Sequence, residues 1–179
     1  MLRSDQHIIL IGFKHVGKSS LGKRLTEKLE RPLIDLDDAI ENLYQTQEGE
    51  RLSCYEIVRQ AGEDFFRALE QAALADVLKS DPAVIALGGG ACLNLHNQTQ
   101  LHPHFVIHVT ATPVIVFDRI MQAGIPAFFP PNSDPKPHFK QLWQARDPIY
   151  QKLATISVAN NDSLDDAVEK ALAHLKFHF

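Results

Sequence analysis

Gly12-Phe-Lys-His-Val-Gly17-Lys18-Ser19 is the stretch of this chain whose residue types and spacing point to the most specific chemistry. Glycines at the two ends let a backbone wrap closely around a polyanion. Successive N–H groups of such a turn, opening a helix, form an anion nest. A lysine directly after the second glycine reaches the β- and γ-phosphates of a nucleoside triphosphate, and the hydroxyl that follows is a Mg²⁺ ligand. The set expected to hold ATP is therefore Gly12, His15, Val16, Gly17, Lys18, Ser19 and Ser20, with Lys18 also catalytic and Ser19 on the metal. His15 lies inside the turn, either beside the nucleotide or as a solvent-facing loop residue.

Four further groups could supply an acceptor site. Asp35-Leu-Asp37-Asp38 follows an apolar run, where carboxylates would sit on the ligand edge of an open parallel sheet. If the strand reaches that far, Asp35 and Asp37 point the same way and could serve Mg²⁺ or an attacking hydroxyl. The alternative is that Asp37 and Asp38 cap a helix. Phe66-Arg67-Ala-Leu-Glu70 places Arg67 and Glu70 on one helix face, as a functional pair or a surface ion pair. Gly88-Gly89-Gly90 ends another apolar run; it removes every side chain, so that a ligand can approach the backbone, or it is a plain turn. Arg146-Asp-Pro148-Ile-Tyr150 comes last, and its arginine taken alone would be a solvated helix residue.

The elements needed to position these residues follow from the apolar pattern. Short runs at 8–11, 33–36, 83–87, 105–109 and 155–158 read as strands buried on both faces. Helical stretches fall near 18–30, 37–45, 53–60, 63–79, 112–122, 138–152 and 163–175. Ser53 with Glu56 has capping-box spacing, and Ser163 with Asp166 is a weaker version. Strands alternating with helices favour a parallel sheet covered on both faces. Gly124 to His138 carries Pro126, Pro130, Pro131, Pro135 and Pro137, which argues for a loop of functional length rather than a helix.

Bulk properties narrow the classes. The chain of 179 residues fits one domain, 1–179, with 45% hydrophobic and 22% charged residues. A formal net charge of −4 argues against a nucleic-acid scaffold. Cys54 and Cys92 read as reduced thiols of a cytoplasmic protein. No run approaches the ~20 apolar residues of a membrane span. The nine histidines are scattered and show no metal-ligand spacing, and no N-K-x-D guanine signature occurs.

Taken together and in order, these motifs resemble the shikimate kinase family: its GxxxxGK[ST] loop, its D-x-D, its F-R-x-x-E, its G-G-G and its R-x-P-x-Y. The similarity runs over about residues 7–175. It implies a three-layer P-loop NTPase-like α/β fold, with a five-stranded parallel sheet in the order 2-3-1-4-5. It implies transfer of the γ-phosphoryl of ATP, with Mg²⁺, to the 3-hydroxyl of shikimate by a monomer. By position, Asp37 would hold the acceptor hydroxyls and polarise the attacking one. Arg67 and Arg146 would clamp the carboxylate, a task suited to guanidinium forks. Gly88, Gly89 and Gly90 would border the substrate, Asp35 would support Mg²⁺ through water, helices at about 37–62 would form the substrate side, and 123–138 would be a lid. The chain departs from the family where the lid usually carries R-P-L-L: Gly124-Ile125-Pro126-Ala127 stands there, with no arginine between Arg119 and Arg146. A second family arginine, after the last strand, is also missing near Asn161 to Ser163. The ATP side is thinned in positive charge while the acceptor side is retained. That leaves open a kinase for another hydroxylated carboxylic acid, or a nucleotide-binding relative with weak turnover.

Overall fold

The computed structural model describes residues 5–124, 129 and 133–176. β1 (Ile8–Ile11) is fully enclosed, all four side chains having no solvent exposure. Each such aliphatic side chain is worth roughly 1.5–3 kcal/mol of burial, which fixes β1 at the centre of the sheet. β1 pairs in parallel with β3 (Val84–Ala86) on one side and with β4 (Phe105–Thr110) on the other. β2 (Leu33–Asp35) and β5 (Ile156–Ala159) complete the edges, giving the order β2-β3-β1-β4-β5. The parallel sheet is the one expected from the alternation of strands and helices, and its order is the one that the family resemblance implies.

Helix α1 (Lys18–Leu29) follows β1 and packs on α8 (Leu164–Lys176). α2 (Leu36–Glu48), α3 (Cys54–Ala61) and α4 (Glu63–Val77) pack on one another. Ser53 and Glu56 form the full capping box at the start of α3. Ser163 Oγ accepts from Asp166 N at 3.4 Å, a longer version of the same cap. α6 (Pro113–Ala123) and α7 (Pro135–Leu153) complete the C-terminal half, with α7 lying over β4.

Three expectations change. Leu36 belongs to α2 and not to β2, so alternation along a strand does not align Asp35 with Asp37. The helix cap is Asp35, neither Asp37 nor Asp38: its carboxylate accepts from Asp37 N at 3.1 Å. The prolines do not hold the chain in a loop as far as His138, because α7 begins at Pro135. Pro135 and Pro137 occupy the first turn, where N–H groups have no helical partner to lose, and Asp134 caps the turn by accepting from Lys136 N at 3.0 Å. The rest of that stretch, at 125–128 and 130–132, lies outside the described residues. Finally, a 3₁₀ turn (Ala91–Leu93) and α5 (Leu95–Leu101) follow the glycine triplet. The sequence LHNQTQL is short, mixes good helix formers (Leu, Gln) with weak ones (His, Asn, Thr) and shows little periodicity; side-chain hydrogen bonds support this helix. Asn94 Oδ1 accepts from His96 N, and the buried Asn97 donates from Nδ2 to Ala91 O at 3.0 Å.

Candidate active site

All five strands are parallel, so their carboxyl ends, and the loops that follow, meet at one edge of the sheet. The turn after β1 bends there with three residues at positive φ: Gly12 (140°), His15 (64°) and Gly17 (99°). Gly12 has no room for a side chain, since a Cβ would sit 2.1 Å from Val109 O. Gly17, the N-cap of α1, would drive a Cβ to 2.4 Å from Asn160 Nδ2. That Asn160 amide donates to Val16 O at 2.9 Å and is buried. Arg119 in turn donates to Asn160 O at 3.0 Å, and Asn161 Oδ1 accepts from Thr112 N at 2.8 Å. The phosphate turn is thus braced from the end of β5. Sequence reasoning sought an arginine after β5 and missed Asn160; an amide directly after a buried-strand run was the available signal.

Lys18 folds back over its own loop. Its Nζ donates to Gly12 O at 3.0 Å and Phe13 O at 2.9 Å. Burial pushes its pKa down to about 8, with Asp37 opposing, so the ammonium is retained at neutral pH. His15 is pushed below its usual value by burial first and by Lys14 and Lys18 next; it is neutral at pH 7. Ser19 Oγ donates to Asp35 Oδ2 at 3.1 Å, so the two expected metal-side oxygens are adjacent.

A cleft of about 320 Å³ is lined by Lys14, Gly17, Lys18, Ser19, Asp35 and Asp37, and by Gly88 and Gly89 on the facing side. His15 and Ser20 line it too, whereas Val16 is wholly buried beneath. Lys14 had not been singled out in the sequence; it adds a cation to the cleft. The Asp37 carboxyl is shifted upward by crowding of the cleft walls and by Asp35, against Lys18 and Lys14. Its face stays open to solvent, which limits the size of that shift.

Space, rather than left-handed backbone, accounts for the first and last glycines of the triplet; a Cβ on Gly89 would meet nothing closer than 3.5 Å. A Cβ on Gly88 would lie 2.8 Å from Asp37 Oδ1, and one on Gly90 would lie 3.0 Å from Arg67 Nη1. Arg67 and Gly90 do not line the cleft but flank it through this contact. The Arg67 guanidinium grips both Glu70 oxygens at 3.1 Å and reaches Glu63 at 3.2 Å. Glu70 is only 3% exposed, and burial shifts it upward against the pull of Arg67. The pair is therefore an inward anchor rather than a surface bridge. Arg146, half-buried on α7, stacks its guanidinium 5.7 Å from the Phe13 ring centre and has no carboxylate partner among the described residues. Four residues on, the buried Tyr150 hydroxyl donates to Gly89 O. α7 is thereby tied to the triplet, a link the motif contained but reading it did not assign. Ile125, where a lid arginine was sought, lies outside the described residues.

A lysine-bearing anion nest, adjacent oxygen donors and a carboxylate share one cleft, which Arg67 flanks beside Gly90, and such a set can align an acceptor hydroxyl with a terminal phosphoryl group; Arg146 does not line that cleft. Comparison with known proteins bears on the family and the fold. The shikimate kinase family model matches residues 14–176. The shikimate kinase of Thermobifida fusca (strain YX) is 34% identical over 166 residues, 92% of this chain and 91% of that protein. That of Dehalococcoides mccartyi is 32% identical over 171 residues, covering 94% and 93%. Among solved structures, shikimate kinase from Acinetobacter baumannii in complex with shikimate superposes with a TM-score of 0.79 at 25% identity, over 96% of this chain and 92% of that one. The Aquifex aeolicus enzyme gives 0.73 at 27% identity, over 97% and 98%.

Proposed function

The chain belongs to the shikimate kinase family, a family of ATP-dependent phosphotransferases, and we propose that it moves the γ-phosphoryl of ATP to the 3-hydroxyl of shikimate in the cleft between the phosphate turn and the glycine triplet. The turn Gly12 to Ser20 cradles the polyphosphate on its N–H groups and the N-terminus of α1. Lys18 exchanges two carbonyl partners for phosphate oxygens, which returns a partly desolvated ammonium to an anionic environment.

The acceptor lies across Gly88 to Gly90. Arg146, whose side chain is hydrogen-bonded to Tyr150 but has no carboxylate partner among the described residues, supplies one guanidinium to its carboxylate, and Arg67, anchored by Glu70, supplies the second. Asp37 accepts a hydrogen bond from the attacking hydroxyl and orients it. In a loose phosphoryl transfer, positioning and charge stabilisation supply most of the acceleration, so an oriented hydroxyl matters more than a strong base. Ser19 and Asp35 fit Mg²⁺, a hard cation that takes one or two protein oxygens and completes its shell with water and phosphate. When bound, Mg²⁺ would neutralise charge on the β- and γ-oxygens. Every group comes from one chain, which supports action as a monomer on a small molecule, and the two free thiols fit a cytoplasmic setting.

The observation that carries this reading is the shared cleft: Lys18, Asp37 and Gly88–Gly89 face one volume, with Gly88 leaving room for the Asp37 carboxylate where it stands. ADP release from ATP, Mg²⁺ and shikimate tests it. Turnover that depends on shikimate and disappears in Asp37→Asn and Lys18→Ala supports it. ADP release driven by another hydroxy acid, but not by shikimate, would reassign the acceptor. Tight ATP binding with no phosphorylated acceptor would remove the catalytic reading altogether.

A further inference from the structure

A second cavity, of about 530 Å³, opens between α6 and α7 and shares no lining residue with the nucleotide cleft. Three of its nine lining residues are aromatic: Phe117 from α6, and Phe139 and Trp143 from α7. The rings form a connected set, Phe117 to Phe139 at 5.3 Å and Phe139 to Trp143 at 5.7 Å between centres. On the α7 rim stand Lys136 and Lys140, one turn apart on the same helix face. On the α6 rim stands Asp118. None of these three charges is ion-paired among the described residues.

We propose that this groove is a binding site for a free aromatic amino acid, its ring against Phe117, Phe139 and Trp143, its carboxylate at Lys136 and Lys140, and its ammonium at Asp118. The volume falls within the range of small-molecule sites, and the lining has the apolar body with a few polar groups that such sites use. Aromatic walls select a flat ring by offset or edge contacts. The lysine pair selects an anionic end. The acid on the opposite rim discriminates against a purely anionic ligand such as a nucleoside monophosphate, whose phosphate it would repel. One ligand chemistry answers to all three features: an aromatic ring linked to a carbon that carries both a carboxylate and an ammonium. The site also touches the phosphate turn. The Phe13 ring meets Phe139 at 5.5 Å and Trp143 at 5.6 Å, while Phe13 O receives the Lys18 ammonium.

Trp143 is the only tryptophan in the chain, so its fluorescence reports directly on the groove. Full-length protein is titrated with L-phenylalanine while that emission is followed. The expected result is a saturable change, with phenylacetate and phenethylamine each binding about fivefold more weakly or worse, because each lacks one charged end. The Lys136→Ala/Lys140→Ala double variant, which alters exposed side chains only, is expected to weaken L-phenylalanine by about the same factor without lowering the melting temperature. The proposal is overturned by an emission that stays flat to millimolar L-phenylalanine, by equal affinity in the double variant, or by AMP displacing the amino acid from the groove.

Discussion

Replacing Lys18 by methionine should stabilise the ligand-free protein while abolishing turnover, and the size of the effect follows from the site. Burial lowers the Lys18 pKa from 10.5 to about 8. Holding the charged form at neutral pH then costs the folded state about 3 kcal/mol. Methionine has a similar length and no charge, so this cost disappears. Against it, Gly12 O and Phe13 O lose their donor, at about 1 kcal/mol each where cleft water replaces it incompletely. The net gain is about 1 kcal/mol, or about 2–4 °C in Tm for a domain of this size. The pH dependence is the sharper test. A base depressed in the folded state binds its proton more weakly there than when unfolded. Wild-type stability is therefore full above 10.5 and is lost as pH falls to about 8. The advantage of Lys18→Met should shrink through that window and reverse near its upper end, because only the lost hydrogen bonds then remain. Calorimetric melting of both proteins from about pH 7 to about pH 10 reads this directly. A variant that is less stable at neutral pH, with a gap that does not move with pH, would refute the argument that the phosphate turn strains its own lysine.

The other predictions concern the acceptor side and the core. Arg146→Ala should raise the KM for shikimate about 10- to 100-fold, the value of one charge-assisted contact, with little change in the KM for ATP; steady-state kinetics with each substrate varied separate the two. Gly88→Ala should lower kcat by about 100-fold with the fold intact by circular dichroism, because the added methyl meets Asp37 Oδ1 at 2.8 Å and displaces it. His108, buried on β4 beside Asp147 and Ser157, is held below its usual value of 6.5 by burial, against the pull of Asp147. Its contribution is present above that value and is lost as pH falls toward the folded pKa. Denaturation with urea at about pH 7 and about pH 5 should show a smaller acid loss for His108→Gln than for wild type.

The strands and the phosphate turn were legible because each has a local cause. Ile8–Ile11 is apolar throughout, and Gly12 and Gly17 stand where the backbone must turn left-handed. The site was legible as a set of motifs but not as an arrangement. Nothing local marks Asp35 as a helix cap, since that depends on β2 stopping one residue earlier than its apolar run. Nor does sequence spacing say that Gly88 and Gly90 are glycines because Asp37 and Arg67 press on them from helices far apart in the chain. α5 was missed because it is only two turns long and lacks an apolar period, and side-chain hydrogen bonds to the preceding 3₁₀ turn help to hold it. Pro135 and Pro137 misled because proline, costly inside a helix, is well suited to its first turn; α7 even carries Pro148 in its interior. The bracing of the phosphate turn by Asn160 and the tether from Tyr150 to Gly89 are long-range pairings that spacing does not encode.

The central claim is that a phosphoryl group passes from the lysine-bearing turn to a hydroxyl held beside Asp37. Phosphorus NMR of a reaction with ATP, Mg²⁺ and shikimate tests it most directly, because it separates transfer from mere hydrolysis. The expected spectrum gains one phosphomonoester, coupled to the ring proton at carbon 3, in step with ADP. Inorganic phosphate appearing alone, or an ester that forms equally well with Lys18→Met, would contradict it.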